Sequence, residues 1–153
     1  MTTFHARPGT RGAWQPGRRL MLGLNGFIAK RLRKGGNPMG FGTLLLTTVG
    51  RKSGLERTSP LGYVPDSGDG WLIAASASGA AANPNWYHNL AAAPDRARIE
   101  VGGTVIPVSA DQLHGDEREA AWRTLTTAIP RFGRYGAKTD REIPVIRLTR
   151  RSS

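Results

Sequence analysis

"TLLLTTVGRKSGLERTSPLGYV", residues 43–64, decides the fold. Its first seven residues are apolar and β-branched, as a short buried strand requires. "RTSPLGYV" (57–64) reads as a second strand, so the stretch between them is a turn and the pair runs antiparallel. That turn also poses a chemical question. Arg51, Lys52 and Arg57 surround a Gly-Ser-Gly bend in which Glu56 is the only acid. A bend with Gly50 and Gly54 exposes backbone N–H groups, the Ser53 hydroxyl adds a donor, and the three cations can converge on a phosphate or carboxylate. The alternative is a basic hairpin standing in solvent.

Outward from this pair the period stays at two. "GWLIAAS" (70–76) follows the turn-forming "PDSGDG". "RARIEV" and "TVIPVSA" are joined by Gly102-Gly103, a two-residue hairpin signal, and "IPVIRLT" (143–149) is a last strand. Helices interrupt them. Asn83-Pro84 is expected to cap and start "NPNWYHNLAAA", with Pro94 ending it. "GDEREAAWRTLTTAI" (115–129) places Asp116, Glu117 and Glu119 at the positive end of a helix dipole. At the other end of the chain, residues 17–34 carry Leu20, Leu24, Phe27, Ile28 and Leu32 at helical steps, flanked by cations. Residues 1–16 read as a flexible arm. The expectation is an α+β chain, mainly antiparallel, whose six strands close into a small barrel with flanking helices and an N-terminal amphipathic helix. Residues 1–40 form the basic arm and helix, and 41–153 the barrel domain.

Composition narrows the chemistry. The 153 residues carry a formal net charge of +11 and no cysteine, so disulfides, thiolate catalysis and Cys-ligated metals are excluded. His5, His88 and His114 lack metal-ligand spacing, and no metal is expected. Eight of the cations fall in residues 1–40 with no acid among them, so the barrel itself is only mildly basic. No apolar run spans a membrane and no secretory signal is recognisable, which makes the cytoplasm the expected compartment. "GFGTLL" (40–45) precedes a strand and lacks the third glycine of a dinucleotide fingerprint. Phosphate-binding loops of the Gly-x-x-x-x-Gly-Lys type, nucleophile elbows and His-Glu-x-x-His are also missing, which argues against hydrolysis.

Two further stretches carry candidate chemistry. In "NPNWYHNL" (83–90), Trp86 and Asn89 share one helical face, and Asn85 and Asn89 are four apart. In "IPRFGRYGAKTDREIP" (129–144), Phe132 and Tyr135 lie in a Gly-containing segment between the third helix and the last strand. Each has a structural alternative, a core-packed helix in the first case and a surface loop in the second.

Taken together, "LLLTTVGRKSG" (44–54), "RTSPL" (57–61), "AAS" (74–76), "NPNWYHNL" (83–90), "AAAP" (91–94) and "YGAKTDREIPVIRL" (135–148) resemble the deazaflavin-dependent nitroreductase and quinone reductase family, over residues 41–148. The resemblance implies a split β-barrel of the FMN-binding type and the cofactor F420, an 8-hydroxy-5-deazaflavin whose tail bears a phosphate and glutamate carboxylates. It implies that Arg51, Lys52, Ser53 and Arg57 hold the phosphate and tail. Pro60, Leu61, Ala75 and Ser76 would line the ring, with Trp86 and Asn89 on the adjoining helix. Asn85, Phe132 and Tyr135 would meet the substrate, Tyr135 as hydrogen-bond donor or proton source to an acceptor made anionic by hydride addition.

Two departures bear on specificity. Ala77 stands where the family commonly has a lysine, which removes one cation. Ile129 and Phe132 replace tyrosines of the nitroimidazole-activating relative, and a phenylalanine cannot donate to a nitro group. The implied acceptor is a hydrophobic electrophile such as a quinone or a nitro compound, with menaquinone among the candidates. Residues 17–34 would act as a lid or as a peripheral contact with the inner face of the cell membrane, the alternative being an ordinary helix that caps the barrel with its cations in solvent. An FMN-binding oxidoreductase is the alternative within the fold. A nucleic-acid-binding module is disfavoured because no binding motif accompanies the charge.

Overall fold

A computed structural model describes residues 4–14, 18–37, 40–66 and 68–151. Among them the sheet has seven strands: β1 (Thr43–Val49), β2 (Glu56–Gly62), β3 (Val64–Asp66), β4 (Gly70–Ala74), β5 (Ala97–Val101), β6 (Thr104–Gln112) and β7 (Val145–Arg150). All neighbours are antiparallel, in the order β2-β1-β5-β6-β7-β4-β3. β2 and β3 lie at opposite ends of that order, yet only Tyr63 separates them in the chain. The sheet must therefore curl until its edges approach, which makes a half-barrel. The Tyr63 N–H marks the crossing by donating to the Gly42 carbonyl at 3.0 Å.

The expectation of six strands is corrected to seven. "RTSPLGYV" is not one strand. It ends at Gly62, and Val64-Pro65-Asp66 pairs instead with Leu72, Trp71 and Gly70. Pro65 lacks a donor and so suits a strand at the very edge of the sheet.

Four helices accompany the sheet: α1 (Arg18–Arg33), α2 (Asn85–Ala92), α3 (Gly115–Ala128) and α4 (Pro130–Lys138). α4 is the helix that the sequence pattern concealed. Pro130 takes its first turn, where a missing N–H costs nothing, and the same proline closes α3 one residue earlier. Gly136 lets α4 approach α3, since a Cβ there would stand 3.2 Å from Trp122 Cζ2.

Alternation along the strands feeds two cores. Leu44, Leu46, Ile73, Ile99, Ile146 and Leu148 point into the curl together with Trp86 and Leu90 of α2. Leu72, Ala74 and Val145, one residue out of step, pack outward against Leu125 of α3, Ile129, and Phe132 of α4. Each fully buried leucine or isoleucine contributes about 2 kcal/mol. β4 and β7 are thus buried on both faces, and these two layers hold α2 and α4 on either side of the exposed edge of β2.

The expected flexible arm is also corrected over its described part, residues 4–14. The Gly9 N–H donates to the Ala81 carbonyl at 2.7 Å and the Ala13 N–H to the Gly79 carbonyl at 2.8 Å. The Asp140 carboxylate accepts from the Thr10 N–H at 2.8 Å, the Arg11 N–H at 3.0 Å and the Thr10 hydroxyl. These bonds hold Asp140 at a pKa of about 2, with the Thr10 hydroxyl the largest cause. Residues 1–3, 15 and 16 of that arm, and residue 17 of the expected helix, lie outside the described residues.

Candidate active site

A cavity of about 910 Å³ runs along the edge strand β2. From Arg57 to Gly62 that strand spans about 17 Å at ~3.3 Å per residue, so the two ends of the cavity are chemically separate places. At one end lies the turn joining β1 to β2. The Gly50 N–H donates to the Leu55 carbonyl at 2.7 Å and the Gly54 N–H to the Gly50 carbonyl at 2.8 Å. Gly54 has φ +72°, the left-handed region in which glycine carries no steric cost. Ser53 Oγ accepts from the Leu55 N–H at 3.1 Å, which leaves the hydroxyl proton free to donate. Among the described residues, the N–H groups of Lys52 and Ser53 have no partner in the protein. The turn therefore presents two backbone donors and a hydroxyl, rather than a full ring of amides.

Charge at this end is unbalanced. Glu56, the only acid among the described residues that line the cavity, is engaged by Arg98 in a two-pronged pair, which holds its carboxyl below the ordinary range. Among the described residues, Lys52 and Arg57 make no ion pair. Arg51 is anchored but not neutralised: its backbone N–H (3.1 Å) and Nη1 (3.2 Å) both donate to Asn89 Oδ1. Burial first, and the Arg51 cation second, push the His88 imidazole below its ordinary pKa.

The site residues expected from the sequence are brought together with one exception. Arg51, Lys52, Ser53 and Arg57 line the turn end, and Pro60 and Leu61 line the strand edge. Ser76 borders the cavity from the loop after β4, Asn85, Trp86 and Asn89 from α2, and Phe132 and Tyr135 from α4. Ala75 is placed elsewhere. It is fully buried inside the curl, because the two-residue period sends it to the face opposite Ala74. Asn89 faces the cavity with its side chain already committed, since Nδ2 donates to Thr48 Oγ1 at 3.3 Å while Oδ1 serves Arg51. Its role is to tie α2 to the cationic turn.

Three contributors were not read from the sequence. Arg141 is buried, and its guanidinium donates to the Ala80 carbonyl (2.8 Å), Asn83 Oδ1 (2.8 Å), and the Ala75 (3.0 Å) and Ser76 (2.8 Å) carbonyls. Burial pushes its pKa down, and among the described residues no carboxylate pairs with it. It pins the loop carrying Ser76 and Ala77 to the cavity wall. Asn83 consequently does not cap α2 as expected; Pro84 occupies that position and Asn83 serves Arg141. The other two, Phe41 and Arg131, sit together at the far end of the cavity, with the Arg131 guanidinium 5.4 Å from the Phe41 ring centroid. A helical reading of α4 would have revealed Arg131, because it is four residues from Tyr135.

Residues 25–150 match the family model described as F420H(2)-dependent quinone reductase. The chain belongs to that family. An F420H(2)-dependent quinone reductase of Mycobacterium tuberculosis strain H37Rv is 40% identical over 132 residues, covering 84% of each chain. Among solved structures, an F420-H2 dependent reductase aligns with a TM-score of 0.63 at 38% identity, over 70% of this chain and 93% of its own. A domain-swapped dimer aligns with a TM-score of 0.65 at 32% identity, over 88% of this chain and 99% of its own. Within this reductase family fold, no group of metal-ligating side chains occurs among the described residues, and no helix among them is long and apolar enough to cross a membrane.

Proposed function

We infer that the protein is an oxidoreductase that transfers a hydride from reduced F420 to a quinone. One observation carries the reading: Arg51, Lys52 and Arg57 open onto a single mouth of the cavity while the one acid among the described lining residues is taken by Arg98. The donor set fits the cofactor. A phosphate and carboxylate tail needs cations, two backbone N–H groups and a hydroxyl without internal partners, and the turn offers these. A flat ring needs apolar walls, which Pro60, Leu61 and the exposed part of Trp86 offer along the strand edge. When bound, the reduced deazaflavin supplies a hydride at C5. The chain's own residues hold the tail, keep the ring against β2 and restrict water. Tyr135 donates a hydrogen bond or proton to the oxygen that becomes anionic on reduction.

A hydrophobic acceptor of the menaquinone type, reached at the inner membrane face, is the finer reading. Its support is α1, where Leu20, Leu24 and Phe27 are 65, 48 and 54% exposed on the same helix as Lys30 and Arg31. α1 also contributes Asn25 to the cavity rim, so the same helix can meet lipid and border the site. Replacing Leu20, Leu24 and Phe27 by serine should abolish co-sedimentation of the full chain with anionic liposomes; unchanged partitioning would reject lipid contact.

The function is tested by fluorescence titration with F420, followed by anaerobic turnover of the reduced cofactor with 2-methyl-1,4-naphthoquinone. Saturable binding and quinone-dependent oxidation are expected. Binding of FMN in preference, with no oxidation of reduced F420, would overturn the reading.

A further inference from the structure

The far end of the cavity holds a second positive site that the cofactor reading does not use. Gly62 closes β2 there, and a Cβ on it would lie 2.7 Å from Phe41 Cε2 and 3.2 Å from Ile129 Cδ1. The missing side chain is what allows the Phe41 ring to seat against the strand. The Arg131 guanidinium then lies over that ring, 5.4 Å from its centroid, within cation–π range. Among the described residues Arg131 has no carboxylate partner. It lines the cavity and stands four residues before Tyr135 on α4, so the two present donors from one helical face. Phe132, between them, offers none.

We propose that Arg131 is an acceptor-binding cation through which the site also takes, beside neutral quinones, those carrying an ionised oxygen next to the reacting carbonyl. The proposal rests on the quinone reductase reading and names the acceptor class. Reduction adds a hydride, with its electron pair, to the acceptor and leaves the cofactor oxidised. The acceptor's oxygen carries a negative charge until a proton from Tyr135 or water completes the quinol. A planar guanidinium meets two neighbouring oxygens with parallel N–H donors, a match that a lone carbonyl does not offer. The tail cations, about 17 Å away along β2, are too distant to do this work.

The test uses 2-hydroxy-1,4-naphthoquinone, ionised at neutral pH, against the neutral 2-methyl-1,4-naphthoquinone. Wild type, Arg131→Met and Arg131→Lys are compared in two ways: quenching of tryptophan fluorescence when each quinone binds the cofactor-free protein, and turnover with reduced F420. Arg131→Met should weaken binding and kcat/KM for the anionic quinone by about tenfold to a hundredfold more than for the neutral one, with partial recovery in Arg131→Lys. F420 affinity should stay within about twofold, because the charge removed lies beyond screening range of the tail. Equal losses on both quinones, or no loss, would overturn the proposal. Failure of wild type to bind F420 would instead strike the cofactor reading, while anion binding by the cofactor-free protein that depends on Arg131 would still uphold this site.

Discussion

The turn at residues 50–57 and the loop at residues 75–83 are both governed by arginine, to opposite effect. Arg141 is 7% exposed and spends its donors on four oxygens of the protein. Arg51, Lys52 and Arg57 are exposed, and Glu56, which would neutralise them, is held by Arg98. One guanidinium is saturated and builds a wall; the other cations are left, among the described residues, without a carboxylate partner and face a cavity. Burial and donor occupancy, more than residue type, separate scaffold from binding surface.

The strongest way to break this contrast is to remove the cavity-facing charges. The triple variant Arg51→Met, Lys52→Met, Arg57→Met should lose about tenfold in F420 affinity per cation, roughly a thousandfold together, as measured by fluorescence titration. Its Tm should move by no more than about 4 °C, since these exposed side chains make, among the described residues, a single hydrogen bond to the protein, Arg51 Nη1 to Asn89 Oδ1, and the Arg51 backbone N–H keeps that acceptor satisfied. Loss of folding in this variant would show that the turn is structural after all.

Arg141→Met should do the reverse. Leaving buried carbonyls without donors costs about 3 kcal/mol, a fall in Tm of about 10 °C by thermal unfolding. Arg141→Lys should lie between, keeping the charge but not the planar fork. An unchanged Tm in Arg141→Met would erase the distinction between the two regions.

The smallest effect sharpens the loop's side of the comparison, because residues 9–13 brace it through Asp140. The carboxyl is held at about 2 against an ordinary 3.8, so its contribution is present above 3.8 and is lost as pH falls through about 2. Asp140→Asn should therefore flatten acid unfolding within that window and leave neutral-pH affinity for F420 unchanged. A wild-type curve matching that of the variant would mean that the segment is not anchored there.

What was legible follows the same division. β1 declares itself by a short apolar, β-branched run, β5 and β6 by the Gly102-Gly103 hairpin between them, and the cationic turn by its local density of charge. α3 is read correctly from its acidic first turn, ending one residue before the expected Ile129. α4 was hidden because Gly133 and Gly136 lower helix propensity, while the close approach to Trp122 that rewards Gly136 is a tertiary fact. β3 is three residues long and contains a proline, so no period can form in it. Arg141 reaches oxygens 58 to 66 residues away in sequence, and no local pattern announces such a contact. Ala75 was misplaced relative to the cavity for a related reason: a shift of one residue moves a strand side chain to the other face.

The central claim is that the turn grips the cofactor's anionic handle. The most direct measurement compares, by titration calorimetry on wild type, F420 with the same deazaflavin lacking the phosphate and glutamyl tail. Tighter binding of the full cofactor by about a hundredfold or more is predicted, with the gap shrinking as salt rises and closing in the triple variant. Equal affinity for the two compounds in wild type would contradict the account.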